Sequence, residues 1–283
     1  MYSSNFLESI SKINLFSTIL IICIGLIGNT LTLIIYGQSK YRVNSSNVFI
    51  LILSIIDSLF LIIHFFEDII NSFKKYDFPI QYLNIAEINR ESCMLINYFR
   101  YVLRSISSYI ILAFTIQRFK VVYSPLSSKF KSKQYAWFTC LIIIIISFLI
   151  NLWSLFVFDL SKESDVVKKC DIVEDWVDFY FYISICYFTL NILIPMISVV
   201  ILNCLIIYKT KNDNLNRIQQ YTYGKMRTNT LNSTRRNALK NLVDLKASIK
   251  QIKDKKLTKK MSKTLALASI SFVVLNLPYA ITW

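Results

Sequence analysis

The stretch 92–126 constrains this chain more than any other. It opens at Cys93, continues as mostly apolar sequence and closes in a basic turn with Pro125. At ~1.5 Å per residue, a helix of this length crosses a bilayer. Arg100 and Arg104 nevertheless lie inside it. A charge within a bilayer costs from ~2.5 kcal/mol upward, so intramembrane arginines point to function by default. The two are one turn apart and share a helix face.

The other apolar residues are gathered in the same way. They make up 54% of 283 residues, with charged residues at 17% and only 4 Gly. A soluble domain of this length needs more charge to cover its surface. Six spans follow from the apolar runs, at 13–36, 47–70, 94–118, 135–158, 179–208 and 263–283. Span 1 is too long for a signal-peptide core and lacks a small-residue cleavage site, so it stays in the chain.

The net charge of +15 is local rather than spread. Residues 209–263 hold 16 Lys and Arg against 3 Asp and Glu. That distribution argues against nucleic acid and reads 209–262 as a cytosolic loop. Lys40, Arg42, Lys120, Lys129, Lys131 and Lys133 mark the cytosolic ends of the earlier spans. The parity then puts the N-terminus outside the plasma membrane. Within the loop, the polar stretch 221–234 reads as disordered, and Leu245–Met261 has a spacing that suits a cytosolic extension of span 6.

Chemistry in the sense of catalysis is not expected. There is no nucleophile–base pair and no phosphate loop. Cys23, Cys140, Cys186 and Cys204 fall in apolar runs, where a thiol behaves as a small hydrophobe. Cys93 and Cys170 lie outside the runs, and nothing among the cysteines has metal-ligand spacing.

Taken together, the motifs resemble a known family. Cys93 stands 25 residues before Arg118, and Pro125-Leu126 follows Arg118 by seven. Gly28-Asn29 lies in span 1, Leu53-Ser54-Ile55-Ile56-Asp57 in span 2, Pro195 in span 5 and Asn276-Leu277-Pro278-Tyr279 in span 6. This joint spacing is similar to that of rhodopsin-family (class A) G-protein-coupled receptors. The resemblance implies an all-α membrane protein, a seven-transmembrane helix bundle. Six helices are present, and the seventh, with its Asn-Pro-x-x-Tyr motif, is missing from the chain, which stops at Trp283.

The resemblance also implies roles. Cys93 and Cys170 would form the extracellular disulfide, against the alternative of two free loop thiols. Gln117, Arg118 and Phe119 would form the G-protein coupling motif. Asp57 would hold a sodium ion with Asn29 and Ser107. Pro195 and Pro278 would bend helices 5 and 6, and helix 6 would swing out on activation. Gln117 stands where the family carries an acid and Phe119 where it carries Tyr; the lost carboxylate implies a weaker resting lock and higher basal activity. Ser147-Phe148-Leu149-Ile150-Asn151-Leu152, Leu202-Asn203 and Asn276-Leu277-Pro278 resemble invertebrate neuropeptide receptors of the FMRFamide type.

Arg100 occupies the place where amine receptors of this family carry an Asp, so a cationic amine is set aside. The arginines suit an anionic group on a peptide, because the guanidinium fork donates two parallel hydrogen bonds to a carboxylate. Neutralisation by Glu67 and Asp68, at the outer end of span 2, is an equal alternative. His64, Tyr101, Tyr279 and Trp283 are candidate ligand contacts by depth alone, each more often a packing residue. A multi-spanning transporter or channel, with Asp57, Arg100 and Arg104 along its pathway, is the competing function. A non-signalling truncated receptor is a further one.

The topology has a direct check. Asn44-Ser45-Ser46 and Asn232-Ser233-Thr234 are glycosylation sequons on the cytosolic side. Both are expected unmodified when the chain is made in eukaryotic cells. A glycosidase-sensitive mass shift mapped to either would reverse the orientation.

Overall fold

The computed structural model describes residues 2–38, 45–66, 85–124, 132–162 and 168–229. Among these, five helices are long and apolar enough to cross a membrane. They are α1 (Tyr2–Gly37, apolar from Leu15), α2 (Ser45–His64), α3 (Arg90–Tyr123), α4 (Lys133–Ile150) and α5. α4 tightens into a 3-10 turn at Asn151–Trp153 and ends with a short helix, Ser154–Val157. α5 has two stretches, Val177–Phe188 and Ile194–Asn229, joined by a π turn at Thr189–Leu193. The expected span 263–283, and with it Pro278, Tyr279 and Trp283, lies outside the described residues. So does the basic stretch 230–262.

Several boundaries differ from expectation for physical reasons. α3 starts ahead of Cys93 because Asn89 caps it: the Ser92 amide donates to Asn89 Oδ1 at 2.7 Å. Span 4 stops at Val157, and Phe158 begins a strand. The helix of span 5 does not end with its apolar run. It continues to Asn229, so it takes in the first part of the expected basic loop and of the polar stretch 221–234. No proline interrupts that stretch, and an i,i+4 ion pair, Lys209–Asp213 at 3.0 Å, supports its first turn.

The described residues fall into two compact units. The first takes in the chain up to Gln117 and again through Pro195. The second takes in the last turn of α3 and α5 from Met196. In the first unit, α2, α3 and α4 share a core. α2 contributes Phe49, Ile52 and Ile56, α3 contributes Val102, Ile106 and Ile110, and α4 contributes the small residues Ala136 and Cys140. The steps of three and four residues are those of one helix face. α1 approaches α2 closely at Gly25, where a Cβ would stand 2.7 Å from Leu61 Cδ1.

The outward faces are apolar as well. Ile24, Leu149 and Phe181 are each 60% exposed or more, which suits lipid and not water. Hydroxyls on these helices bond their own backbone. Thr30 donates to the Leu26 carbonyl at 2.7 Å and Thr139 to that of Tyr135 at 2.8 Å.

Pro195 acts one turn ahead of itself. In the π turn, the Ile194 amide donates to the Thr189 carbonyl, five residues back. The next carbonyl in that register, Leu190, would look to residue 195, which has no N–H. Tyr109 of α3 supplies the donor instead, its hydroxyl 3.2 Å from the Leu190 oxygen. The expected bend at Pro195 is thus a widened turn pinned from a neighbouring helix. Tyr109→Phe removes that donor and is expected to cost about 1 kcal/mol. A lowered midpoint of thermal unfolding in detergent checks it; an unchanged midpoint would sink the assignment.

Candidate functional site

The outer end of α3 is tied down by a hairpin. Strands β1 (Phe158–Lys162) and β2 (Lys168–Ile172) pair antiparallel, with Leu160 opposite Cys170 and Phe158 opposite Ile172. Cys93 and Cys170 are joined in a disulfide, Cα atoms 5.6 Å apart. Asn97, one turn further along α3, is buried and donates to both the Cys93 carbonyl (3.1 Å) and the Cys170 sulfur (3.3 Å). Arg90 pairs with Asp159 of β1 at 3.1 Å. The Val173 amide closes the base by donating to the Val157 carbonyl at 3.0 Å. Cys23, Cys140, Cys186 and Cys204 are free thiols, as their apolar surroundings led one to expect.

Beneath the hairpin lies an aromatic cluster. Tyr101 packs against Trp153 (centroids 5.0 Å) and edge-on against Tyr187 (4.9 Å). Its hydroxyl pairs with that of Tyr180 at 3.1 Å, and the Tyr187 hydroxyl donates to its carbonyl at 3.0 Å. Tyr101 is only 6% exposed. The ring packs the hairpin, α4 and α5 against α3.

Arg100 and Arg104 are half-buried on the same helix. The Arg104 guanidinium lies 6.0 Å from the Phe60 ring centroid, a cation–π contact to α2. Phe60 in turn stacks on His64 at 5.9 Å and 12°. One turn outward, Ile62, Ile63, Phe66, Ile85, Ala86 and Ile96 line a cavity of about 270 Å³. The other expected members of this site, Glu67, Asp68 and Tyr279, lie outside the described residues.

In mid-helix, the Ser107 hydroxyl donates to Asp57 Oδ1 at 2.7 Å. Two of the three expected ion ligands thus meet, and their oxygens are of the kind a hard cation takes. Asn29 is half-buried on α1 and makes no hydrogen bond to the pair.

At the inner end, Gln117 is 2% exposed. Its amide nitrogen donates to the Ser45 hydroxyl at 2.6 Å, and the Ser46 hydroxyl donates weakly to its oxygen at 3.4 Å. Both serines open α2 and are themselves buried. The residue that replaces the family acid is thus not an idle gap in the motif but a tie between α2 and α3. Arg118 follows it, half-buried. Phe119 packs on Tyr123 with centroids 4.3 Å apart.

Residues 28–283 match the model of the 7 transmembrane receptor (rhodopsin family). The chain belongs to that family. No curated protein gave a match. Members of the family are signalling receptors that act through G proteins, so this receptor is a multi-pass plasma-membrane protein with an activating ligand and a G protein as partners. The match places the chain among receptors and not among transporters or channels.

Some site residues escaped the sequence. Trp153, Tyr180 and Tyr187 are scattered over two spans, and only the fold brings them to Tyr101. The hairpin did leave a signal: Phe158 and Leu160, then Cys170 and Ile172, alternate with polar residues at the period of a strand. Ser45 and Ser46 looked like the last two residues of a sequon.

The Gln117 tie is measurable. A double-mutant cycle of Gln117→Leu with Ser45→Ala, read by thermal unfolding, is expected to return a coupling of about 0.5–1.5 kcal/mol. Additive effects would mean that the amide and hydroxyl do not hold each other.

Proposed function

We propose that this receptor binds an extracellular peptide between its helices, under the β1–β2 hairpin, and passes the signal to a G protein at Arg118. The observation that carries the reading is the anchored hairpin above the arginines of α3. Arg100 and Arg104 lie about 10 and 16 Å along the helix from Cys93. A peptide carboxylate, terminal or from a side chain, reaching that depth would meet two cations on one face. The cavity outward of Arg100 offers its neighbouring apolar side chain a place. The FMRFamide-type resemblance supports a neuropeptide as the ligand class.

In this reading the N-terminus is extracellular and the basic 209–262 region is cytosolic. Asp57 and Ser107, with Asn29, hold a sodium ion in the resting state. The peptide favours an outward tilt of helix 6 about Pro278, and the population shift opens the cytosolic side beside Arg118. Glu67 and Asp68 neutralise the arginines in the absence of ligand and release them to it.

Charge reversal separates binding from internal pairing. In cells with wild-type surface expression, Arg100→Glu is expected to weaken the response to an activating peptide by tenfold or more in concentration, the ~1.4 kcal/mol that one charged contact exceeds. Unchanged potency would leave Arg100 a structural role only. Gln117→Asp restores the family carboxylate, and ligand-free signalling should fall. A basal rate equal to wild type would count against the weakened resting lock.

A further inference from the structure

We propose that Tyr123, the last residue of α3, is a positioning residue for G-protein coupling, holding the cytosolic continuation of α5 at a fixed angle. The proposal rests on the reading above that the G protein docks at the Arg118 end of α3. Four contacts converge on this corner. The Phe119 ring buttresses Tyr123 at 4.3 Å. The Tyr123 hydroxyl reaches the Leu205 carbonyl of α5 at 3.5 Å. The Lys209 ammonium lies 5.9 Å from the Tyr123 ring centroid. The same ammonium pairs with Asp213 at 3.0 Å.

Leu205 and Lys209 are one turn apart, so Tyr123 grips one face of α5 at two successive turns. The Lys209–Asp213 pair lies within α5 and ties nothing to α3. Its side chains are a third or more exposed, so alone it contributes little. Its use here is to hold the ammonium over the ring, where the quadrupole attracts it. Phe119 does the matching task from the α3 side.

The grip sits at the foot of a lever. α5 runs on from Lys209 to Asn229 as helix, about 30 Å at ~1.5 Å per residue. A tilt of ~10° at the foot would carry the far end through ~5 Å. A partner that reads both the end of α3 and this helix needs that angle fixed. The departure of Phe119 from the family tyrosine acquires a use: a ring without a hydroxyl stacks on Tyr123 without competing for the Leu205 carbonyl.

The test uses the whole receptor in lipid nanodiscs, with two readouts. Hydrogen exchange of the 205–213 amides reads the grip. Nucleotide exchange on purified heterotrimeric G protein, without agonist, reads coupling. Tyr123→Leu is expected to speed amide exchange severalfold and to lower G-protein stimulation by a similar factor. Lys209→Arg, which keeps a cation over the ring, should match wild type. The charge swap Lys209→Glu with Asp213→Lys restores the ion pair but sets a carboxylate over the ring, so it should behave like Tyr123→Leu. Both positions are only half-buried, which keeps the swap informative if Tyr123→Leu fails to fold. A swap indistinguishable from wild type would overturn the proposal, because the pair alone would then suffice. Faster amide exchange with undiminished coupling would overturn the positioning role. A wild-type receptor that stimulates no G protein would count against the receptor reading itself, while amide exchange still reports on the grip.

Discussion

Everything described depends on one constraint: inside a bilayer there is no water to satisfy a polar group. Backbone amides must bond within their own segment, and each exception needs a named partner. The exceptions are where this protein becomes specific. A proline at 195 would strand a carbonyl, and Tyr109 covers it. An aspartate at 57 sits in mid-helix, and Ser107 meets it. A glutamine at 117 is buried, and two serines of α2 take up its amide. Arginine at 104 lies against an aromatic face. The apolar surface of the helices says only that the chain enters a membrane. The polar side chains, and what each one finds, say how the helices are ordered within it.

The same constraint explains what could be read from the sequence. Length and apolarity fix the spans, because a bilayer demands about twenty apolar residues per crossing. Cys93 and Cys170 stood out because they were the cysteines outside those spans. Ser107 and Asp57 could be paired only through the family resemblance, which places both in one group. Boundaries were harder. Asn89 extends α3 by capping it, and a cap is a local preference that apolar counting ignores. The α5 extension is polar, so apolar counting stops at Tyr208 while the helix does not. The packing around Tyr101 was hidden for a different reason. Depth along a helix is linear in sequence, but facing is not, and only α4, α5 and the hairpin reveal that its face is closed.

The two residues that flank Arg118 are better understood as a set. Gln117 joins α2 instead of offering a charge, and Phe119 supports Tyr123 instead of presenting a hydroxyl. Each substitution trades an electrostatic contact for packing or a neutral hydrogen bond. Neutral contacts respond weakly to salt and to pH, whereas ion pairs near a surface respond strongly. At Gln117 and Phe119 the contacts are therefore of the kind that salt and pH leave largely alone.

The hairpin carries a consequence for time rather than for strength. It is fixed to α3 by a covalent bond, to the helix start by Arg90 and to its own base by Val173. A cover held at three points does not swing as a lid. Entry and exit beneath it depend on brief local openings of the chain, which are rare events in a well-bonded segment. For a ligand seated below, as proposed above, exchange would be limited by how often those openings occur.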